Sequence, residues 1–188
     1  MNTAVITSST HHYSPMPLEI LTSVSGGENT LHCPFVTSLN SFVAVAENRG
    51  LEWAERFNLL SSRKVLVAGK LEYVRFSAFV HPYASLEALQ IVGDFFTWLF
   101  LLDDVWDESM YGTKVRHMAL LHERFMEILH GAQPAAQDDP FTQALYDLRT
   151  RIETFGSEAI LARFSKSADA YFKAGQWEAM NRARGVVP

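Results

Sequence analysis

The sequence predicts an all-α helical bundle, and three observations lead to this fold class. After Pro34, apolar residues recur at three- and four-residue spacing in nearly every segment, and strand-like alternation is hard to find. Hydrophobic residues make up 48% of the 188 positions, enough to bury the core of one domain of ordinary size. The segment 86–102 is apolar nearly all round, as a helix at the centre of a bundle must be.

The N-terminal region divides into a leader and the start of the helical domain. Residues 1–30 are rich in Ser and Thr and show no sustained period, so we expect a flexible leader. The helical domain then spans 31–188. Pro34 is well placed to begin its first helix and Gly50 to end it, and a second short helix carries Trp53.

Two segments flank a turn that contains Pro82. The third helical segment must end at or before His81, because a proline disfavours helix in the residue before it. Ser85 then provides half of a capping box for the next helix. Its apolar period continues up to the acidic residues at 103–108.

Three further elements follow. A helix is expected from beyond Gly112 to about His130, and 131–140 has the composition of a surface loop. The helical period then restarts and breaks at Gly156. Ser157 begins a last helix, with an acidic residue near its positive end.

Composition excludes several functional classes. The net charge is −5 and the basic residues are scattered, so we expect no nucleic-acid partner. Cys33 is the only cysteine, which rules out an internal disulfide and a Cys-based zinc site and favours a cytoplasmic location. The longest apolar run, 95–102, is far shorter than the roughly 20 residues of a membrane span. The histidines lack metal-ligand spacing and are expected on solvated helix surfaces.

The acidic residues at 103–108 are the strongest functional signal. Asp103 and Asp107 fall on one helical face, with apolar side chains behind them on that face. Two carboxylates about 5 Å apart repel by roughly 3 kcal/mol at an effective dielectric of 20, and the helix dipole adds to the repulsion there. No Lys or Arg lies between Arg75 and Lys114. A divalent cation such as Mg²⁺, which prefers hard oxygen ligands, is the natural counter-charge. The alternative is a solvated acidic helix end.

Residues 76–108 carry a resemblance to a known family. They read FSAFVHPYASLEALQIVGDFFTWLFLLDDVWDE, in which one helix ends at HPYA and the next runs through FTWLF into DDVWD. This segment resembles the class I terpene synthases, most closely the microbial cyclases, whose aspartate-rich motif is here extended to DDxxDE. Weaker agreement near Pro34 and Trp53 and in the stretch WEAMNRARGVVP extends the resemblance over roughly 31–188.

The resemblance implies an all-α bundle around an apolar cavity, with Mg²⁺ and the diphosphate of an isoprenoid substrate at its mouth. It places metal ligands at Asp103, Asp104, Asp107 and Glu108. Asp103 is the principal catalytic candidate, and Asp104 is expected to point partly away. Aromatic faces stabilise a carbocation by roughly 0.5–2 kcal/mol each, which makes Phe100 a second catalytic candidate. The implied substrate-binding side chains are Phe76, Phe79, Phe96, Leu99 and Phe100, although core packing alone would also explain each aromatic.

The sequence also departs from the family. The second metal motif, N/DxxxS/TxxxE, is not found, because its nearest matches place Leu66 and Tyr146 where Glu is required. There is no Arg-Tyr pair, and the sequence stops before the expected diphosphate-sensing Arg. We therefore expect the N-terminal part of a cyclase α-domain, with the C-terminal half of the bundle missing. Its uncovered apolar faces predict self-association, for example as a homodimer.

Three functions follow from these observations. The leading hypothesis is a Mg²⁺-dependent sesquiterpene cyclase that ionises and cyclises a linear allylic diphosphate, with farnesyl diphosphate favoured, and releases diphosphate. A chain-elongating prenyl diphosphate synthase also uses DDxxD motifs, but it usually has a second acidic motif and paired Arg, which are absent. An inactive or split helical module is the non-enzymatic alternative.

Overall fold

The computed structural model describes residues 37–60, 72–108 and 115–186, except the side chains of residues 107 and 108. The expected leader and the helix start at Pro34 lie outside these residues. The described residues form six α-helices and no strand, so the all-α prediction is confirmed. The helices are α1 (Val43–Arg56), α2 (Glu72–Val80), α3 (Leu86–Glu108), α4 (Val115–Leu129), α5 (Pro140–Phe155) and α6 (Glu158–Ala183).

Helix α1 corrects the prediction that Gly50 ends a helix and that Trp53 belongs to another. One helix runs through both residues and stops at Arg56. Gly50 is buried against α2, and a Cβ at this position would lie 2.7 Å from Val74 Cγ2. The glycine therefore permits a close helix crossing. The chain turns instead at Asn58, whose φ of 53° lies in the left-handed region that Asn tolerates.

The connection from α2 to α3 follows the sequence closely. Helix α2 ends at Val80, one residue before His81, and Ser85 Oγ accepts a hydrogen bond from the Ala88 amide at 3.3 Å to cap α3. Asn40, a buried residue that precedes α1, holds this turn in place. Its Nδ2 donates to the carbonyl oxygens of His81 and Ala84, both at 2.9 Å.

Helix α3 lies at the centre of the bundle, as its apolar sequence predicted. It packs against α1, α2 and α5. Trp98, 1% exposed, packs edge-on against Phe125 and Phe172, and its Nε1 donates to the Phe141 carbonyl oxygen at 2.9 Å. Aromatic side chains of α4, α5 and α6 thus meet around one residue of α3, and this fixes where its acidic end lies.

Helices α5 and α6 begin at good capping residues. Asp139 Oδ1 accepts from the Phe141 and Thr142 amides at 2.8 and 3.2 Å, with Pro140 in the first turn. Ser157 Oγ caps α6 by accepting from the Ile160 amide at 3.4 Å. The predicted loop at 131–140 and the break at Gly156 are therefore confirmed, with Pro140 already helical.

His122 corrects the prediction of solvated histidines. Its side chain is only 13% exposed and joins α4 to α6. Its Nε2 lies 2.9 Å from Asp169 Oδ1, and its Nδ1 lies 2.7 Å from Gln176 Nε2. His117 and His130 are exposed, as predicted. None of the described helices combines the length and the apolar character that crossing a bilayer requires.

Candidate active site

The acidic end of α3 presents its two described carboxylates to different helices. Asp103 and Asp104 are exposed and follow directly after the buried Leu101 and Leu102. Adjacent residues of a helix point about 100° apart, and here their hydrogen-bond partners lie on different helices, Tyr171 on α6 and Tyr73 on α2. Asp103 therefore faces α6 and Asp104 faces α2.

A tyrosine hydroxyl contacts each carboxylate. Tyr171 Oη donates to Asp103 Oδ1 at 2.9 Å, and Tyr73 Oη donates to Asp104 Oδ2 at 3.2 Å. Burial, and then the charge of Asp104, raise the pKa of the Tyr73 phenol, which keeps it a neutral donor. Among the described side chains, no Lys, Arg or His forms an ion pair with either carboxylate. The hydroxyl groups orient these acids without cancelling their charge.

The donor set suits a hard divalent cation. Asp107 lies one turn after Asp103 in α3, and Glu108 is the last residue of the helix, but their side chains are outside the described residues. Within the described part, no group of three His, Cys, Asp or Glu residues converges on one point. Mg²⁺ typically takes one or two carboxylates and completes its shell with water and substrate phosphates. Exposed carboxylate oxygens at a helix end meet that requirement.

An apolar groove opens beside Asp103. It lies between α3 and α6 and has a volume of about 430 Å³. Its lining is mostly apolar and aromatic and consists of Phe95, Trp98, Leu99, Ile160, Arg163, Phe164, Ser167, Ala168, Tyr171 and Phe172. Its volume falls in the range of roughly 300–1,000 Å³ that is usual for small-molecule sites. Because Tyr171 both lines the groove and bonds Asp103, the carboxylate stands at the mouth of a hydrocarbon-lined space.

A cluster of aromatic rings lies on the side of α3 that faces α2 and borders the groove, because Phe96 contacts the groove residue Phe95 at a centroid distance of 5.6 Å. Tyr73 stacks on Phe100 with ring centroids 4.8 Å apart, and Phe76 meets Phe96 edge-on at 5.2 Å. Phe96 and Phe100 stack at 6.0 Å. Phe76 remains 46% exposed and Phe79, also on α2, 41% exposed. Burial in the described core therefore does not by itself explain these two phenylalanines.

The structure groups four of the five predicted substrate-binding residues in two places, and Phe79 belongs to neither. Leu99 lines the groove, and Phe76, Phe96 and Phe100 form the aromatic cluster. Sequence reasoning did not identify Tyr171 as a site residue. Its hydroxyl was the available signal, because a tyrosine in an apolar stripe requires a polar partner.

Comparisons with known proteins identify relatives of this chain. Residues 94–188 match the family model described as terpene synthase family 2, C-terminal metal binding. The chain is 39% identical over 155 residues to the (+)-T-muurolol synthase of Roseiflexus castenholzii, covering 82% of this chain and 48% of that protein. It is 36% identical over 159 residues to the germacrene A synthase of Nostoc punctiforme, covering 84% and 49%.

A solved structure shows the same arrangement of helices. The germacradien-4-ol synthase of Streptomyces citricolor aligns with a TM-score of 0.71 at 30% identity, over 81% of this chain and 50% of that one. The chain spans about half the length of the curated relatives that it matches. The resemblance found in residues 76–108 is confirmed, and the chain belongs to the terpene synthase family.

Proposed function

We propose that the whole protein is a Mg²⁺-dependent sesquiterpene cyclase that ionises farnesyl diphosphate, closes its hydrocarbon chain into a ring and releases inorganic diphosphate. The observation that carries the proposal is the exposed Asp103 at the mouth of an apolar groove, joined to the groove wall through Tyr171. The Roseiflexus relative, 39% identical, is named for cyclising (2E,6E)-farnesyl diphosphate.

The acidic end of α3 would hold the metal. Asp103 and Asp107 lie one turn apart and form the main pair of ligands, with Asp104 and Glu108 as further direct or water-mediated ligands. Mg²⁺ is proposed because every donor is a carboxylate oxygen. When bound, it supplies Lewis acidity and positive charge to the departing diphosphate.

The residues of the chain itself orient the site and protect the reacting hydrocarbon. Tyr171 fixes Asp103 by its hydrogen bond, and the groove lining excludes water, which would quench a carbocation. The faces of Phe76, Phe96 and Phe100 stabilise positive charge by roughly 0.5–2 kcal/mol each. Phe100 lies one turn before Asp103 and is nearest to the point where the charge first develops.

Several features of the whole protein belong to this proposal. The remaining half of the length of the relatives would supply the second metal motif and cover the groove and the exposed side of α2. A homodimer is the other way to cover these surfaces. The single cysteine suits a reducing cytoplasm. No relative reported above is named for chain elongation, so neither that activity nor an inactive module gains support.

A product assay tests the proposal. Protein expressed from the complete coding sequence is incubated with C10, C15 and C20 prenyl diphosphates and MgCl₂, and inorganic diphosphate and volatile products are measured. Release of diphosphate from the C15 substrate with a cyclic hydrocarbon or alcohol is expected. Longer linear diphosphates would indicate elongation instead, and no release from any substrate would indicate a module without this chemistry.

A further inference from the structure

Two apolar spaces lie in line along α3 and α6. The upper groove is the 430 Å³ space beside Asp103. The lower groove, of about 260 Å³, lies between the first half of α3, the end of α5 and the start of α6. Phe95, Ile160 and Phe164 line both grooves, so these three residues form the boundary between them.

Two of the three boundary residues are aromatic and contact each other. Phe95 of α3 and Phe164 of α6 meet edge to face, with centroids 5.0 Å apart and planes 78° apart. Phe164 packs on the small core cluster of Ile91, Ile152 and Leu161, which supports it from below. Phe95 is supported from the other side by the buried Trp98, whose ring stacks on it at 6.4 Å. The rings are thus held by their neighbours.

The lower groove has the chemistry of a hydrocarbon site. All of its lining residues are apolar, including Ala88, Val92 and Phe155. Its volume lies below the roughly 300 Å³ at which small-molecule sites usually begin, so by itself it is too small for a separate ligand. Joined to the upper groove, it would extend that space away from the carboxylates.

The helix geometry gives the length of each space. Phe95 lies eight residues before Asp103, about 12 Å along the axis of α3 at 1.5 Å per residue. Ala88, at the far end of the lower groove, lies fifteen residues before Asp103, or about 22 Å. A prenyl chain whose diphosphate is held at Asp103 meets the Phe95–Phe164 pair before it can reach the lower groove.

We propose that the Phe95–Phe164 pair is the floor of the substrate groove and determines the longest prenyl chain that the enzyme accepts. A chain of three isoprene units folds above the pair. A chain of four units requires the lower groove, from which the two rings exclude it. This inference rests on the proposed function, because it assumes that the upper groove holds a prenyl chain.

The test removes each ring in the protein expressed from its complete coding sequence. The ratio of kcat/KM for the C20 diphosphate to that for the C15 diphosphate is measured for wild type, Phe164→Ala and Phe95→Ala. Each substitution is expected to raise this ratio at least tenfold, because a single methylene that a hydrophobic pocket excludes already corresponds to discrimination of roughly 10–200-fold. Calorimetric binding of saturated C15 and C20 alkyl diphosphates is expected to shift in the same direction without turnover.

Two further variants distinguish steric exclusion by the Phe95–Phe164 pair from a general loss of packing. Phe155→Ala widens the lower groove at a residue that is 47% exposed and does not line the upper groove, so its ratio should equal that of the wild type. Phe164→Leu keeps much of the volume and should shift the ratio less than Phe164→Ala. Melting curves confirm which variants are folded.

The outcomes distinguish this inference from the function on which it rests. If the wild type converts the C15 substrate but folded Phe164→Ala and Phe95→Ala keep the wild-type ratio, the floor is wrong and the cyclase function stands. If the wild type releases diphosphate from neither substrate, the proposed function fails and the inference fails with it.

Discussion

Helix α3 carries two very different kinds of carboxylate. Asp94, in the middle of the helix, is 1% exposed, and both of its oxygens are bonded, one by Gln90 Nε2 and one by Arg151 Nη1, each at 2.8 Å. Asp103 is exposed, and within the described residues its recorded partner is a neutral hydroxyl. The counter-charge of Asp94 belongs to the fold, whereas the part of the chain that the structure describes supplies none for Asp103.

The surroundings of Asp94 extend this difference. Arg151 also lies 2.9 Å from Asp147 Oδ2, and that oxygen accepts from Trp53 Nε1 at 2.8 Å. The group therefore ties α1, α3 and α5 together. A buried charge is tolerated only when it is paired, so we infer that Asp94 serves stability and that Asp103 serves binding. This contrast can be tested from either side.

The largest effect is expected when the partner of Asp94 is removed. Arg151→Met leaves a buried carboxylate without its cation and should lower the free energy of unfolding by about 3–5 kcal/mol at pH 7. Urea denaturation measures this loss. Mg²⁺ affinity of the variant that remains folded should match that of the wild type. A loss below about 1 kcal/mol would mean that Asp94 does not depend on Arg151.

Asp103→Asn should have the converse effect. Removing a principal metal ligand is expected to lower kcat by about 100-fold or more, whereas the melting temperature should scarcely change because the residue is exposed. Asp104→Asn, on the α2 side of the helix and away from the groove, is the matched comparison and should lose less. Steady-state kinetics with equal losses in both variants would contradict the ranking.

The pH dependence of the free energy of unfolding should also show that the pKa of the buried Asp94 carboxyl is raised. Burial, only partly offset by Arg151, raises the pKa of this carboxyl to about 6. Between about pH 4 and 6 the folded protein then holds a proton that the unfolded chain has released, so this group's stabilisation falls by about 2 kcal/mol as the pH rises through that window. Asp94→Asn removes the titrating group. The wild-type curve of unfolding free energy should therefore fall more steeply from pH 4 to 6 than the Asp94→Asn curve, and parallel curves would refute the assignment.

A smaller effect is expected from the tyrosine that orients Asp103. Tyr171→Phe keeps the ring but removes the hydroxyl, and loss of such an orienting bond should weaken Mg²⁺ binding about tenfold, the low end for partners of metal ligands. Isothermal titration calorimetry measures the change. Tyr83→Phe, at a residue that is 90% exposed, is the matched control and should bind Mg²⁺ as the wild type does.

Local sequence signals predicted much of this fold. The capping residue Ser85, the break at Gly156 and the cap at Ser157 placed helix ends within a residue of those observed, because caps and breaks depend on neighbouring residues. Gly50 was misinterpreted because its role depends on Val74, a contact across two helices that no local pattern records.

The candidate site was predictable only in part for the same reason. The DDxxDE pattern identified the acidic end of α3 from consecutive residues. The hydrogen bonds from Tyr171 and Tyr73 join residues that are 68 and 31 positions apart, and the Phe95–Phe164 contact also crosses between helices. Only packing of the whole bundle brings these side chains together.

Titration calorimetry with MgCl₂ in the presence of inorganic diphosphate compares the two carboxylates in one experiment. The protein expressed from its complete coding sequence should bind, Asp94→Asn should retain that affinity when folded, and Asp103→Asn should lose most of it. Undiminished binding by folded Asp103→Asn would contradict the assignment of the exposed end of α3 as the metal site.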